Sequence, residues 1–200
     1  MRKYIINNCM DIIKKYNPGI SNVSLEEIEY GLVSIYILIT KLIVIFSLAF
    51  LIGILKEVLI FTFIYAIIRT PSFGIHASKS WICLIASTIL FIGIPYISMI
   101  ITLSYELKFI MGILGIVLMF KNSPADTHKR PIINPKRRLT YKVISTLIAC
   151  VYVVILLNIN NNFTSNCLLL ALLTQCVIIS PITYMVFKMP YNNYKNYCTT

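Results

Sequence analysis

The sequence predicts an all-α, polytopic integral membrane protein with about six transmembrane helices and with both termini on the cytoplasmic side. Hydrophobic residues make up 58% of its 200 residues and charged residues only 12%, and the mean hydropathy is +0.82. This composition excludes an ordinary soluble domain, because too few polar side chains remain to cover one. Apolar stretches near or at the ~20 residues that span a bilayer recur along the chain, and the cations cluster in the connections of one side.

Six apolar stretches are expected to form the membrane helices, at residues 31–53, 57–70, 80–101, 104–120, 141–159 and 165–187. The second and the fourth are short, so whether these two cross the bilayer completely stays open. Pro95 and Pro181 lie inside apolar stretches, and each predicts a kinked membrane helix whose freed carbonyl is satisfied by neighbouring groups. We treat the 200 residues as a single membrane domain.

Residues 1–29 precede the first stretch, and we expect them to form an interfacial segment on the cytoplasmic side. Apolar side chains are mixed there with Asp11, Lys14 and Lys15, which is typical of a helix lying in the plane of the interface. The turn-forming residues 17–19 should end that helix. Because the first long apolar stretch begins only near Tyr30, we expect no cleavable signal peptide.

The placement of lysine and arginine predicts the orientation. Fifteen of the 18 cations lie in segments that are cytoplasmic if the N-terminus is inside and all six stretches cross, which is a strong positive-inside pattern. Lys56 and Lys108 would lie outside, and Lys41 lies within the first span. Residues 121–142 form a basic cytoplasmic loop with seven of these cations, Lys121, Lys129, Arg130, Lys136, Arg137, Arg138 and Lys142. The net charge of +11 therefore indicates anionic lipid headgroups as neighbours and no nucleic-acid partner.

The six cysteines, at positions 9, 83, 150, 167, 176 and 198, show no paired spacing. In a reducing cytoplasm they are expected to be free thiols, most of them small buried apolar side chains. His, Cys and acidic residues are together too few for a convincing zinc site, so we expect neither a metal nor another cofactor.

His76 and Cys83 are the one place where a proton acceptor and a nucleophile lie close in the sequence, between two apolar stretches. An imidazole can take the proton of a thiol near neutral pH. A thiol and an imidazole are therefore the smallest set of groups that can carry out thiolate-based acyl transfer. A continuous helix would separate the two by about 10.5 Å along its axis, too far for a hydrogen bond. We therefore expect Thr70-Pro71 to end the preceding helix and Gly74 to allow a turn. Cys83 should then lie in the first turn of the next helix, whose N-terminus favours a thiolate.

Each member of this pair also has an ordinary interpretation, and taken singly the ordinary interpretation is the commoner one. Cys83 can be a small apolar residue at a helix start, and His76 can be a capping side chain in a polar loop. Their combination near Gly74 and Arg69, at a predicted membrane boundary, favours chemistry, although the pattern alone leaves the two interpretations nearly balanced.

Around this pair the chain carries Arg69, Gly74, His76-Ala77, Cys83 and Ser87, and further on it reads Ser123-Pro-Ala-Asp-Thr-His-Lys-Arg-Pro131-Ile. Both segments resemble the signature of the accessory gene regulator B family, bacterial membrane cysteine endopeptidases of peptide quorum sensing. Length, six spans and basic loops agree with that family along essentially the whole chain. In many relatives a second glycine stands where this chain has Phe73.

The resemblance implies an endopeptidase of the bacterial plasma membrane that removes the C-terminal tail of a small quorum-sensing propeptide. Cys83 as thiolate would attack a peptide carbonyl with His76 as general base, on the cytoplasmic side. The acyl group would stay as a thioester on Cys83 until a cysteine or serine of the propeptide closes a thiolactone or lactone ring. The implied partners are a propeptide with an amphipathic N-terminus and an acidic C-terminal tail, the lipid bilayer, and a second copy of the chain.

Several residues are expected to support this site. Arg69 would bind either a substrate carboxylate or a local carbonyl, or it would serve only as a positive-inside anchor at a helix end. Ser87 would either orient the site or bond to the carbonyl four residues back. The basic residues of the loop would hold the acidic tail of the substrate or would serve topology alone, and they are Lys129, Arg130, Lys136, Arg137 and Arg138.

Three further residues have open assignments. Lys41 lies too deep in its span to reach water easily, and we assign it either a structural partner or a role in binding an acidic group of the substrate. Asp126 could orient His76, although nothing in the sequence shows that they meet. His128 is an alternative base, and its ordinary interpretation is a solvated loop residue.

Two other functions stay open on the sequence. A non-enzymatic peptide exporter or binding module would line its path with Lys41 and the kinked spans, and Cys83 would then be incidental. A membrane acyl transferase acting on lipid could use the same pair of residues. Replacement of Cys83 by alanine separates the exporter from the peptidase, and the chemical identity of the adduct on Cys83 separates the acyl transferase.

Overall fold

A computed structural model describes residues 2–17, 19–75, 80–127 and 131–197. It is 82% helical, and the described residues contain no β-strand, so the predicted all-α class is confirmed. The helices are α1 (Arg2–Tyr16), α2 (Asn22–Ile52), α3 (Leu55–Ser72), α4 (Ser80–Ile100), α5 (Tyr105–Asn122), α6 (Pro135–Asn158), α7 (Asn162–Ile178) and α8 (Pro181–Val186). A 3₁₀ helix follows at Asn193–Tyr197.

Among the described residues, three helices are long and apolar enough to cross a membrane by length and composition, namely Ser24–Ile52 within α2, Trp81–Ile100 within α4, and α6. The predicted stretches 57–70 and 104–120 correspond to α3 and α5, which have 18 residues each, about 27 Å of helix. Both carry charged residues near their ends. The six-span topology and the orientation of the termini therefore stay predictions.

The last predicted stretch, 165–187, is not one continuous helix. α7 ends at Ile178, and α8 begins at Pro181, where the side chain of Ser180 accepts a hydrogen bond from the N–H of Thr183. Proline suits the first position of a helix because its missing N–H would have no partner there. The kink predicted at Pro181 is therefore wrong, and this proline starts a helix, whereas Pro95 lies inside α4 as expected.

Pro71 does not end α3, contrary to the prediction, because the helix continues to Ser72. The hydroxyl of Ser72 donates to the carbonyl oxygen of Ile68 at 2.6 Å, and the N–H of Phe73 donates to the carbonyl oxygen of Arg69 at 3.1 Å. These two bonds close the last turn beyond the proline. The helix stops only where Phe73 adopts a positive φ of 57°.

The chain divides into two compact units, residues 1–51 and 52–200. The first contains α1 and nearly all of α2. Lys14 and Lys15 lie in the last turn of α1, where the helix dipole favours positive charge. The interruption predicted at residues 17–19 is confirmed, and α2 begins at Asn22 after Ser21, whose hydroxyl accepts a hydrogen bond from the N–H of Ser24 at 3.2 Å. The predicted interfacial segment 1–29 thus includes the start of α2.

α7 is the central helix of the second unit and packs against α3, α4, α5 and α6. Its buried residues lie on all sides of the helix, which explains why it shows no polar face. Gly115 allows α5 to approach α7 closely, since a Cβ at this position would lie 2.7 Å from Cδ2 of Leu172. At the same level the thiol of Cys176 donates to the carbonyl oxygen of Gly115 at 3.4 Å.

Aromatic contacts join α3 to α4, the helix that carries Cys83. The ring of Phe91 on α4 meets the rings of Phe61 and Tyr65 on α3 edge to face, with centroids 5.6 and 5.5 Å apart. At the far end of α4, the side-chain amide of Asn166 donates to the carbonyl oxygens of Ser98 and Ile101. α4 is therefore held both to α3 and to α7.

Candidate active site

The two segments that the sequence singled out meet at the end of α3. The N–H of Ala125 donates to the carbonyl oxygen of Ser72 at 3.0 Å, and the N–H of Gly74 donates to the carbonyl oxygen of Ala125 at 2.9 Å. Phe73 and Ala125 thereby form an isolated parallel bridge. The buried loop after α5 is a platform on which the backbone leading to His76 rests.

Arg69 binds the backbone that leads to His76. Its Nη1 donates to the carbonyl oxygen of Phe73 at 2.5 Å, and its Nη2 donates to those of Ile75 at 2.8 Å and Gly74 at 3.4 Å. A planar guanidinium suits this arrangement because its donors form a fixed fork. Of the two partners expected for Arg69, the structure contains the local carbonyls.

Gly74 occupies a position that no other residue fits. Its φ is +112°, and a Cβ would lie 2.5 Å from Nη1 of Arg69 and 2.9 Å from Cγ2 of Ile178. The turn predicted for this glycine is confirmed. Phe73 also has a positive φ, 57° with ψ −135°, a backbone conformation that favours glycine. Its ring packs edge to face on Tyr141 with centroids 5.0 Å apart, which offsets part of the strain.

Gln175, on the central helix α7, is completely buried and reaches the same backbone. Its Nε2 donates to the hydroxyl of Ser72 at 2.6 Å and to the carbonyl oxygen of Phe73 at 2.9 Å, and its Oε1 accepts from the hydroxyl of Tyr65 at 3.2 Å. Sequence reasoning missed this residue. The signal for it was an amide inside an apolar stretch, since such side chains are rare there and have a specific partner.

Asp126 anchors the platform to the C-terminal part of the chain. The residue is 1% exposed, and its carboxylate accepts hydrogen bonds from the N–H groups of Asn193 at 3.1 Å, Tyr194 at 2.9 Å and Ile132 at 3.4 Å. Arg138 lies 3.9 Å from the same carboxylate. Both carboxylate oxygens therefore have partners within the fold, and the role of orienting His76 stays an untested prediction.

The segment after α8 is held against this platform by aromatic groups. The hydroxyl of Tyr184 donates to the carbonyl oxygens of Asp126 at 3.0 Å and of Ala125 at 3.2 Å. Tyr191 packs edge to face on Tyr184, and burial raises the pKa of Tyr191, with Arg138 opposing that rise. The hydroxyl of Tyr191 thus stays neutral at physiological pH.

Cys83 lies in the first turn of α4, which begins at Ser80, as predicted. Its side chain is half-buried, and the N–H groups of a first helical turn have no partner within the helix. Ser87 follows one turn later and is half-buried. His76 lies outside the described residues, so its contact with Cys83 stays a prediction.

The predicted basic residues differ in their surroundings. Lys136 and Arg137 are exposed on the first turn of α6, and Arg137 reaches the hydroxyl of Tyr141 at 3.2 Å. Arg138 turns inward, with its guanidinium 3.6 Å from the ring centre of Tyr194 and next to Asp126. Of the predicted loop 121–142, α5 takes the first two residues and α6 the last eight.

The roles of the remaining predicted site residues stay predictions. Lys129, Arg130 and the alternative base His128 lie outside the described residues. Lys41 is a half-buried residue of α2, in the first unit. Within the described ranges, no group of His, Cys, Asp and Glu side chains is arranged to hold a metal ion.

Comparison with known proteins agrees with the resemblance of the two segments. The profile of the family described as accessory gene regulator B matches residues 6–179. An AgrB-like protein of Clostridium acetobutylicum is 28% identical over 172 residues, 86% of this chain and 82% of the relative. An AgrB-like protein of Listeria monocytogenes is 29% identical over 173 residues, 86% and 84% of the two chains.

A third relative carries the family name itself. The accessory gene regulator protein B of Staphylococcus aureus is 27% identical over 144 residues, 72% of this chain and 76% of that protein. No solved structure is significantly similar to the chain.

Proposed function

This chain belongs to the accessory gene regulator B family, and we propose that it is a membrane cysteine endopeptidase that removes the C-terminal tail of a small quorum-sensing propeptide. The residues proposed to carry the reaction are Cys83 as nucleophile and His76 as general base. In the same proposal the acyl-enzyme is resolved by cyclisation, which yields a thiolactone or lactone peptide.

The observation that carries this proposal is the way the backbone next to His76 is held. Carbonyl groups of Phe73, Gly74 and Ile75 are bound by Arg69, and that of Phe73 also by Gln175. A loop that served only as a connection would not need a half-buried guanidinium and a fully buried amide bound to its carbonyl groups. A general base does need such fixation, because misplacement by about 1 Å can cost about 100-fold in rate.

The proposed reaction needs no reactant other than Cys83, His76 and the substrate. His76 takes the thiol proton as Sγ of Cys83 attacks the scissile carbonyl carbon, the C–N bond breaks, and the proton passes from His76 to the departing amine. The acyl group is then a thioester on Cys83. A thiol of the propeptide attacks this thioester, loses its proton and returns a thiol to Cys83, so that no net energy source is required for the exchange.

The energetically costly step is the first one, in which an amide becomes a thioester. Removal of the cleaved tail from the site would shift the equilibrium of this step toward the thioester. Cyclisation also competes with hydrolysis of the thioester, and a site at a membrane edge with many apolar surface residues limits the access of water. We place this site on the cytoplasmic side of a six-span topology, in accord with the cation distribution.

Lys136 and Arg137 are proposed to bind the acidic tail of the propeptide, together with Lys129 and Arg130. Lys136 and Arg137 are exposed at the start of α6, which directly follows the loop carrying Asp126. Arg138 is left out of this set because its guanidinium is used by Asp126 and Tyr194. Long-range attraction by the exposed cations would speed the encounter and depend on ionic strength.

Mass spectrometry of liposomes that hold the full chain tests the proposal, with the small precursor encoded beside its gene as substrate. The wild type is expected to release a C-terminal tail and to carry a peptide thioester on Cys83. Cys83→Ala should show neither, and Cys150→Ala, a half-buried thiol on α6, is the matched control that should keep both.

Each alternative function has its own outcome in this experiment. Tail release that persists in Cys83→Ala would place the nucleophile elsewhere and refute the mechanism. A fatty acyl group on Cys83 would indicate a lipid acyl transferase. Folded protein that cleaves nothing yet transports the peptide would indicate an exporter.

A further inference from the structure

We infer that Gln175 is a positioning residue of the peptidase, which holds the backbone that presents His76 and couples it to the helix that carries Cys83. This inference rests on the proposed function and adds to it a residue from a distant part of the chain. Gln175 does not touch the reacting atoms, so it would act through the residues that it binds.

The hydrogen bonds of Gln175 define its orientation completely. One amide hydrogen is directed to the hydroxyl of Ser72 and the other to the carbonyl oxygen of Phe73, at 2.6 and 2.9 Å. Its oxygen accepts from the hydroxyl of Tyr65 at 3.2 Å. Because the side chain is fully buried, no water competes for these bonds, and the amide has one low-energy orientation.

The bonded groups are those that determine where the segment after α3 begins. Ser72 is the last residue of α3, and Phe73 has the positive φ that turns the chain away from the helix axis. The carbonyl oxygen of Phe73 is shared by Gln175 and Arg69. The two side chains therefore approach the same carbonyl group, one from α7 and one from α3.

The same amide is linked to the Cys83 helix through Tyr65. The hydroxyl of Tyr65 binds Gln175, and its ring packs edge to face on Phe91 of α4 with centroids 5.5 Å apart. Phe91 lies about two turns after Cys83 on that helix. A displacement of Gln175 would thus be transmitted both to the backbone before His76 and to the helix of Cys83.

An apolar side chain would fill the same space in α7 without these bonds. The helix is otherwise rich in leucine, and Leu168, Leu169 and Leu172 are buried in it. An amide in such surroundings is unfavourable unless all its groups are bonded, and its presence here points to a geometric requirement at its partners.

A double-mutant cycle between Gln175 and His76 tests the inference in the full chain reconstituted in liposomes. Gln175→Met keeps the length of the side chain and removes its amide. Two quantities are measured per folded molecule: the kcat of tail release, and the rate at which iodoacetamide alkylates Cys83 without substrate, followed by mass spectrometry. Tyr152→Phe is the matched control, since it removes another buried hydroxyl that donates to the α3 backbone, at Ile64.

The inference predicts that Gln175→Met lowers kcat by about 10- to 100-fold while KM stays within about twofold. It also predicts slower alkylation of Cys83 in the wild-type background and much less slowing when His76→Ala is already present, because only the smaller contribution through Tyr65 and the Cys83 helix then remains. Tyr152→Phe should change neither rate.

Two results would overturn the inference. One is a wild-type kcat in Gln175→Met. The other is equal slowing of alkylation by Gln175→Met with and without His76, which would mark general destabilisation of the fold. Failure of the proposed function itself looks different, because the folded wild type would then release no tail, or His76→Ala would leave both tail release and alkylation unchanged.

Discussion

Arg69 donates through Nη2 to the carbonyl oxygen of Ile75 at 2.8 Å, so the residue that directly precedes His76 is bound by a side chain of α3. Lysine cannot replace this arrangement, because one ammonium lacks the planar fork that reaches three successive carbonyls. We expect Arg69→Lys to lower the kcat of tail release by about 10- to 100-fold with little change in KM. Steady-state cleavage in liposomes measures both, and a raised KM with normal kcat would instead make Arg69 a ligand of the substrate.

Gly74→Ala should reduce tail release more than it reduces the stability of the fold. The new methyl group would meet Nη1 of Arg69 in a backbone conformation that alanine avoids, at an expected cost of about 1–3 kcal/mol. Gly93→Ala in α4 is the matched control, since nothing lies within 4 Å of the position that its methyl group would take, and alanine favours a helix. Thermal unfolding and tail release of the two variants are compared, and similar losses in both would refute the special status of Gly74.

Phe73 offers a test of backbone strain. Alanine and glycine at this position both lose the ring contact with Tyr141, but only glycine accepts φ 57°, ψ −135° without strain. We expect Phe73→Gly to be more stable than Phe73→Ala by about 1 kcal/mol, the reverse of the usual order inside a helix. Thermal unfolding of the two variants in one detergent measures the difference, and a more stable alanine variant would contradict the geometry.

Asp126→Asn separates an anchoring role from a catalytic one. The amide keeps one acceptor oxygen, so bonds to the N–H groups of Asn193, Tyr194 and Ile132 cannot all persist. We expect a loss of about 1.5–3 kcal/mol in stability, with tail release per folded molecule reduced less than about tenfold. A drop of ~10⁴-fold, as for a neutralised orienting acid in a catalytic triad, would make Asp126 the partner of His76.

The exposed cations at the start of α6 predict a salt-dependent KM. Lys136→Ala combined with Arg137→Ala should raise the KM for an acidic propeptide about 3- to 10-fold at low salt and less at about 0.15 M, where charges are screened beyond ~8 Å. Lys56→Ala, an exposed cation at the start of α3, is the control and should have no effect. An unchanged KM at low salt would leave topology as the only role of these cations.

Most of the helices could be predicted because apolar length is a local property of the sequence. The stretch 80–101, for example, is α4 almost to the residue. The two errors concern prolines, since Pro71 lies within α3 and Pro181 starts α8. Whether a proline continues, ends or starts a helix depends on the hydrogen bonds made around it. Here Ser72 donates to the carbonyl oxygen of Ile68 and extends the helix past Pro71, whereas Ser180 accepts from the N–H of Thr183 and caps the helix that Pro181 starts.

The site could be predicted only where its residues are close in sequence. Gly74 and Arg69 lie in one short segment. The glycine predicts the turn directly, and local backbone carbonyls are one of the two partners expected for Arg69. Gln175 and Asn193 reach the same region from the other end of the chain, and no spacing rule connects them to it. Nor does a spacing rule predict that the oxygens of Asp126 are bound by N–H groups of the C-terminal segment.

The attachment of the C-terminal segment to Asp126 imposes an order of assembly. Asn193, the partner of Asp126, follows it by 67 residues, which a ribosome adds in about 3–13 s. During that interval Asp126 lacks the N–H groups of Asn193 and Tyr194 that bind its carboxylate. The loop whose Ala125 pairs with Gly74 is therefore not yet anchored. A nascent chain therefore acquires a complete site only after its last apolar helices have been synthesised, which delays the proposed proteolysis until insertion into the bilayer is nearly over.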